Sequence, residues 1–313
     1  MKTYRPVAWI THPACALHSM GPDHPETPRR IAAIEDRLLA GGLLDFMLRL
    51  DAPAAPVVAL ERVHDPAHVR RILDANCSQG EIQIDADTLM NIHSHEAALR
   101  AAGAGLLAVD LVLSDKASLA FCAVRPPGHH AERARAMGFC FFNNVAVAAA
   151  YALSKGLSRV AILDFDLHYG NGTADIFGND PRVLVCSTYQ HPLYPYWETT
   201  AQKPSLIDVP LAPMTGGATF RAAVSNQWLP RLEQFKSELI LVSAGFDAHY
   251  ADPMGDLRLS TDDFMWMSGV IKGVADACCE GRVVATLEGG YDLDALARSV
   301  EAFLLPFIGE MPI

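Results

Sequence analysis

Short apolar runs alternate along the chain with longer stretches whose apolar residues recur at helical spacing, the pattern of parallel strands covered on both faces by helices. Six runs read as buried strands: Val7 to Ile10, Leu119 to Val124, Val160 to Asp164, Val183 to Ser187, Leu239 to Ser243 and Val283 to Leu287. Helix starts are better marked. Thr27 and Pro28, followed by Ile31, Ile34 and Leu38 and closed by Gly41, predict one helix, and Asp65 with Pro66 repeats the start signal. Further helices are predicted over Ser94 to Leu113, Asn144 to Lys155, Ala218 to Phe235 and Asp262 to Cys279, with Pro230 kinking or breaking the third. The stretch from His191 to Gly217, rich in Pro and aromatic residues, reads as a long surface excursion. No repeat or low-complexity linker interrupts the series. The expectation is an α/β fold in one domain, residues 1–313, with a central, mainly parallel sheet flanked by helices.

Composition narrows the partners. Half of the 313 residues are apolar and 19% are charged, enough for one large core. The net charge of −11, with no Lys/Arg run to neutralise successive phosphates, argues against nucleic acid and favours cationic small molecules or Lys-rich peptides. Seven cysteines without a C-x-x-C pair exclude a disulfide framework or a Cys-based zinc module and predict reduced, mostly buried thiols. The apolar stretch after Lys2 and Arg5 is broken by His12, Pro13 and His18, and no run approaches the ~20 residues that span a bilayer. A soluble cytoplasmic enzyme without a membrane partner is expected, and a homo-oligomer is compatible with the sequence.

Three predicted strands run straight into polar clusters, D-F-D-L-H, S-A-G-F-D and E-G-G-Y, and open parallel sheets bind ligands at such strand ends. Asp164, Asp166 and His168 are two apart, so extended backbone points them the same way. With the distant Asp247, Asp166 and His168 make a carboxylate and imidazole set of the kind zinc accepts. The same residues could equally cap a helix or pair with surface arginines. In R-P-P-G-H-H-A, the adjacent His129 and His130 suit shared proton transfer, although a histidine pair alone also fits a structural role. Gly289 and Gly290 read as a flexible, hinge-like turn that could bring the Tyr291 hydroxyl over a reacting carbonyl, against the plainer reading of a half-buried tyrosine.

H-P-E-T-P-R-R at His24, R-P-P-G-H-H-A at Arg125, G-F-C-F-F-N-N at Gly138, D-F-D-L-H-Y-G-N-G-T at Asp164, S-A-G-F-D at Ser243 and L-E-G-G-Y at Leu287 stand in one order along nearly the whole chain. Together they resemble the zinc-dependent histone deacetylases and acetylpolyamine amidohydrolases, which share an arginase-like α/β fold. The resemblance implies zinc on Asp166, His168 and Asp247, Tyr291 as the phenol that polarises the acyl oxygen, His130 as general base and His129 as its charged partner. It also implies Asp164 behind His129, Asn171 behind His130, the Gly138 carbonyl on the substrate amide, and Phe139 as one channel wall. Tyr194 and Pro195 are the candidates for the other wall. A potassium ion beside the zinc is implied at Asp164, Asp166, His168, Ser187 and Thr188. The implied substrate is an acetyl-lysine peptide or protein, or an acetylated polyamine.

The sequence departs from the family at Tyr169 and Tyr189, where histidines are common, and the loop from Tyr196 to Ile207 lacks the Gly-rich sequence often found after Tyr-Pro. G-N-G-T with Asn171 looks closer to the class II and bacterial branch. A two-manganese ureohydrolase would need further Asp-rich motifs, and a silent acyl-lysine binding module would be expected to lose the histidine pair or the phenol. Segments around His93, Ser94 and Tyr194 are expected to control access.

Overall fold

The computed structural model describes residues 5–78, 80–197 and 203–309. Its strands are β1 (Val7–Thr11), β2 (Met47–Asp51), β3 (Ile82–Gln83), β4 (Leu89–Met90), β5 (Leu119–Cys122), β6 (Val160–Asp164), β7 (Val183–Gln190), β8 (Leu206–Leu211), β9 (Leu239–Ala244) and β10 (Val283–Leu287). Eight of them form one sheet in the order β2-β1-β5-β10-β9-β6-β7-β8, and β3 pairs with β4 in a small hairpin. Every pairing in the large sheet is parallel. The central strands β5, β6, β9 and β10 are buried at every position, which is why each reads as an unbroken apolar run.

Helices Ser94–Leu113 and Asn144–Ser154 pack on each other and on the sheet, and helices Arg29–Ala40, Thr261–Cys278 and Leu293–Ile308 form a second group that does the same. Trp9 stacks on Phe121 with ring centroids 5.3 Å apart, and Phe165, Phe246, Phe264 and Phe303 continue that aromatic core. The hydroxyl of Thr27 accepts the Arg29 amide at the start of Arg29–Ala40, within one residue of the predicted start, and Ile31, Ile34 and Leu38 face inward. All seven cysteines are free, and only Cys278 is not fully buried.

The six predicted strands are present, and two more correct the reading. β2 at one edge was not predicted. β8 at the other edge replaces part of the supposed surface excursion and pairs with β7 from Val185 opposite Leu206 to Gln190 opposite Leu211. Pro210 is tolerated there because an edge strand leaves one side of its backbone unpaired. Residues 198–202, in the same stretch, lie outside the described residues. The helix predicted from Ala218 to Phe235 is interrupted by a π-turn, Val224–Trp228, directly before Pro230, with the Leu229 amide bonded to the Val224 carbonyl. Widening the turn accommodates a residue that lacks an N–H and crowds the carbonyl four positions back.

Topology assembles the site. The chain passes from β5 to β6 while leaving two strand positions between them, builds outward through β7 and β8, and returns to fill the gap with β9 and β10. The carboxyl ends of β5, β10, β9, β6 and β7 therefore lie side by side although β5 and β10 pair Leu119 with Val283, far apart in the chain.

Candidate active site

Asp164 ends β6, and the chain continues with Phe165 and Leu167 in the core while Asp164, Asp166 and His168 face the site, as alternation predicts. β9 delivers Asp247. One ligand atom each from Asp166, His168 and Asp247 lies within 4.8 Å of the others, and among the described residues this is the one cluster of its kind. His168 Nδ1 is 3.1 Å from both Asp166 Oδ1 and Asp247 Oδ2. The remaining carboxylate oxygens are held by backbone: Gly289 N donates to Asp166 Oδ2 at 2.9 Å, and Leu167 N to Asp247 Oδ1 at 2.9 Å.

Both carboxylates are 1% exposed and pair with no Lys or Arg among the described residues. Burial and the neighbouring Asp166 push Asp247 up, while His129 and His168 hold Asp166 down against its own burial. Burial opposes a charge on His168, yet Asp166 and Asp247 raise it to about 10. Three buried acids, Asp164, Asp166 and Asp247, face two imidazoles, His129 and His168, and a bound cation would relieve that shortage of positive charge. The donors are two carboxylate oxygens and one ring nitrogen, which fit zinc.

Beside the cluster lie His129 and His130, ring centroids 4.1 Å apart. His129 Nδ1 donates to Asp164 Oδ2 at 3.0 Å, and although burial works against its charge, Asp166 and Asp164 raise its pKa well above the usual value. His130 is driven the other way, by burial first and then by the charges of His129 and His168. Its Nδ1 meets Asn171 Oδ1 at 2.8 Å, and the Asn171 amide nitrogen donates to Glu132 Oε1 at 2.8 Å, which fixes the oxygen toward His130. The His130 proton therefore sits on Nδ1 and leaves Nε2 as a free base. The pair is thus pushed apart: Asp166 and Asp164 favour the charged form of His129, while burial and the charges of His129 and His168 favour the neutral form of His130, whose ring Asn171 orients.

A cavity of about 330 Å³ opens onto this floor, lined among others by Asp87, His129, His130, Gly138, Phe139, His168, Leu193, Tyr194, Met254 and Tyr291. Gly138 (φ +56°) and Phe139 (φ +69°) form the tip of a two-residue hairpin in which Met137 and Cys140 bond to each other twice. A Cβ at Gly138 would strike the His130 ring, so only glycine fits. The Gly138 carbonyl also accepts the Cys140 thiol at 3.2 Å. Tyr194 stands edge-on to His130 at 5.2 Å, whereas Pro195 is not among the lining residues. Ser94 bonds to His18 at the start of its helix, and of the residues expected near the entrance, Tyr194 lines the cavity while His93 and Ser94 do not. Ser187 and Thr188 are buried on β7, Ser187 opposite Asp164 in the sheet, and the Ser187 hydroxyl has no partner among the described residues. The Tyr169 and Tyr189 rings meet at a tilt of 53° with centroids 4.7 Å apart, and the Tyr169 hydroxyl donates to Asp208.

The Gly-Gly-Tyr turn is held by contacts on several sides. Arg30 donates to the Gly290 and Glu288 carbonyls at 2.6 and 2.5 Å and lies 4.9 Å from the Tyr291 ring centroid, and a Cβ at Gly289 would collide with Asp247. Burial, with Arg30 opposing and Asp247 reinforcing it, pushes the Tyr291 phenol well above its usual pKa and keeps it a donor.

Four supporting residues, Glu288, Glu26, Arg125 and Arg30, carried no role in the sequence reading. Glu288 accepts the Gly128 and His129 amides at 2.7 and 3.1 Å, and burial pushes its carboxyl up to about 7. Glu26 holds Arg125 through two side-chain bonds and Arg30 at 3.2 Å, all three residues being almost fully buried. Glu26 thus ties the arginine of R-P-P-G-H-H-A to the arginine under Tyr291.

Residues 24–306 match the histone deacetylase domain family. The chain is 36% identical over 291 residues to the histone deacetylase-like amidohydrolase of Pseudomonas aeruginosa, covering 90% of this chain and 75% of that one. It is 36% identical over 303 residues to the polyamine deacetylase HDAC10 of Homo sapiens, covering 91% and 45%. A crystal structure of the HDA15 HD domain superposes with a TM-score of 0.92 at 30% identity, covering 98% of this chain and 89% of that one. The chain belongs to the histone deacetylase family, whose members are amide hydrolases. No helix among the described residues is long and apolar enough to cross a membrane.

Proposed function

We propose that this chain is a zinc-dependent deacetylase that hydrolyses the amide of an acetylated primary amine, with the acyl-lysine side chain as the first reading. The observation that carries it is the unequal histidine pair set beside the buried Asp166, His168 and Asp247 cluster on the floor of one cavity. When bound by those three residues, zinc supplies Lewis-acid polarisation of the acyl oxygen and a lowered pKa for the attacking water. His130 takes a proton at Nε2 from that water while His129 keeps its charge against Asp164, and the pair returns a proton to the departing amine. Tyr291 donates its hydroxyl to the acyl oxygen as negative charge develops there. The Gly138 carbonyl receives the substrate N–H, with Phe139 and Tyr194 as walls of the acyl channel. Potassium is proposed at Asp164, Asp166, His168, Ser187 and Thr188, a reading supported by the unpartnered Ser187 hydroxyl. These residues form one catalytic domain, proposed to span 1–313, and the free thiols suit a reducing compartment such as the cytoplasm.

Acetylated polyamines are the second reading, favoured by Asp87 in the cavity lining and by the net charge of −11. The test is kcat/KM for acetate release from acetyl-lysine peptides, acetylated polyamines and longer acyl-lysines. Turnover of the peptides is expected. A preference of about tenfold or more for polyamines would select the second reading, and no hydrolysis of any acetamide would refute both.

A further inference from the structure

Asp252 lies outside the metal cluster and the histidine pair, is 6% exposed, and has no ion-pair partner among the described residues. A buried carboxylate without a counter-charge is costly unless several donors converge on it. Three do, all from backbone. Its Oδ2 accepts the Tyr291 amide at 2.6 Å and the Asp292 amide at 3.1 Å, and its Oδ1 accepts the Met254 amide at 3.0 Å. Two of these amides belong to residues that line the cavity, Tyr291 and Met254. The third belongs to Asp292, whose side chain caps helix Leu293–Ile308 through the Ala295 amide at 2.8 Å.

Tyr291 is thus gripped from two sides. Arg30 holds the carbonyls before it and covers its ring, while Asp252 holds its own amide and the next one. Gly290, at φ +123°, supplies the turn but no side chain to fix it. Resting on the reading of Tyr291 as the phenol that meets the acyl oxygen, we propose that Asp252 is a positioning residue for the reaction, setting the depth of the Tyr291 hydroxyl through the 291 and 292 amides.

The test is a double-mutant cycle on the full-length, zinc-loaded protein, with kcat, KM and zinc content measured for Asp252→Asn, Asp252→Glu, Tyr291→Phe and the combinations. Asn keeps the shape but replaces one acceptor oxygen with a donor, and Glu keeps the charge but displaces the oxygens. Each single Asp252 variant is expected to lose on the order of 10- to 100-fold in kcat with KM and zinc content unchanged, because a shift of about 1 Å suffices for such a loss. In the Tyr291→Phe background the same substitutions should cost less than about twofold, since the hydroxyl they position is gone. Equal losses in both backgrounds, or a fall in zinc content that accounts for the loss, would overturn the proposal while leaving the Tyr291 reading intact. Full kcat in both single Asp252 variants would do the same. Full activity of Tyr291→Phe alone would overturn the Tyr291 reading, and this proposal with it. If Asp252→Asn does not fold, Asp252→Glu alone decides by the same criteria.

Discussion

Tyr291→Phe is expected to lower kcat by about 100- to 1000-fold while KM stays within about twofold, the signature of a donor that acts only on charge developed in the transition state. The substitution is conservative for the fold. Phenylalanine keeps the ring beneath the Arg30 guanidinium and against Phe139, so only the hydroxyl is lost. Burial holds the phenol protonated, so its contribution should not fade across the neutral range. Steady-state kinetics on an acetyl-lysine substrate, with a thermal melt as the control for folding, measure the effect. An unchanged kcat would remove Tyr291 from the reaction.

Glu26→Gln is expected to destabilise the fold by about 3 kcal/mol at pH 7, because it leaves the buried Arg125 and Arg30 guanidinium groups without their shared counter-charge. The pKa gives a consistent magnitude. Burial alone would raise the Glu26 carboxyl, but Arg125 and then Arg30 bring it down to about 2 from 4.5. A folded-state pKa below the unfolded one means that the stabilisation is fully present above 4.5 and is lost as pH falls toward 2, at about 1.4 kcal/mol per pH unit. Urea unfolding at a series of pH values should therefore show wild type and variant converging as pH drops below 4.5. A variant as stable as wild type at pH 7 would show that the cluster contributes nothing.

The legible parts of the fold were those that declare themselves locally. β5, β6, β9 and β10 are buried on both faces and read as continuous apolar runs, whereas the missed β2 and β8 are edge strands of mixed exposure, and β8 contains a proline. Asp164, Asp166 and His168 were readable as a group because alternation brings near neighbours to one side. The histidine pair was visible as a pair, but its division depends on burial and on Asp164, Asp166 and His168, 35 or more positions away in the chain.

Glu26, Arg30, Glu288 and Asp252 were harder to read for the same reason in stronger form. Glu26 meets Arg125 across 99 positions, Glu288 meets Gly128 across 160, and Asp252 meets Tyr291 across 39, so no periodicity connects them. The signal for Glu26, Arg30 and Glu288 was a charged residue inside a motif, H-P-E-T-P-R-R or L-E-G-G-Y, whereas Asp252 lies outside every one of the motifs. The sequence suggested the glycine pair for its freedom, whereas packing gives Gly289 a separate reason: it lies too close to Asp247 for any side chain, and Arg30 holds the carbonyl of Gly290.

The most direct measurement of the central claim is acetate release from an acetyl-lysine peptide by chelator-stripped protein as zinc is added back in fractions of an equivalent. Activity should rise from near zero and saturate at about one zinc per chain, as a single site of two carboxylates and one imidazole requires. Full activity in the stripped protein, or saturation only at about two metals per chain, would contradict it.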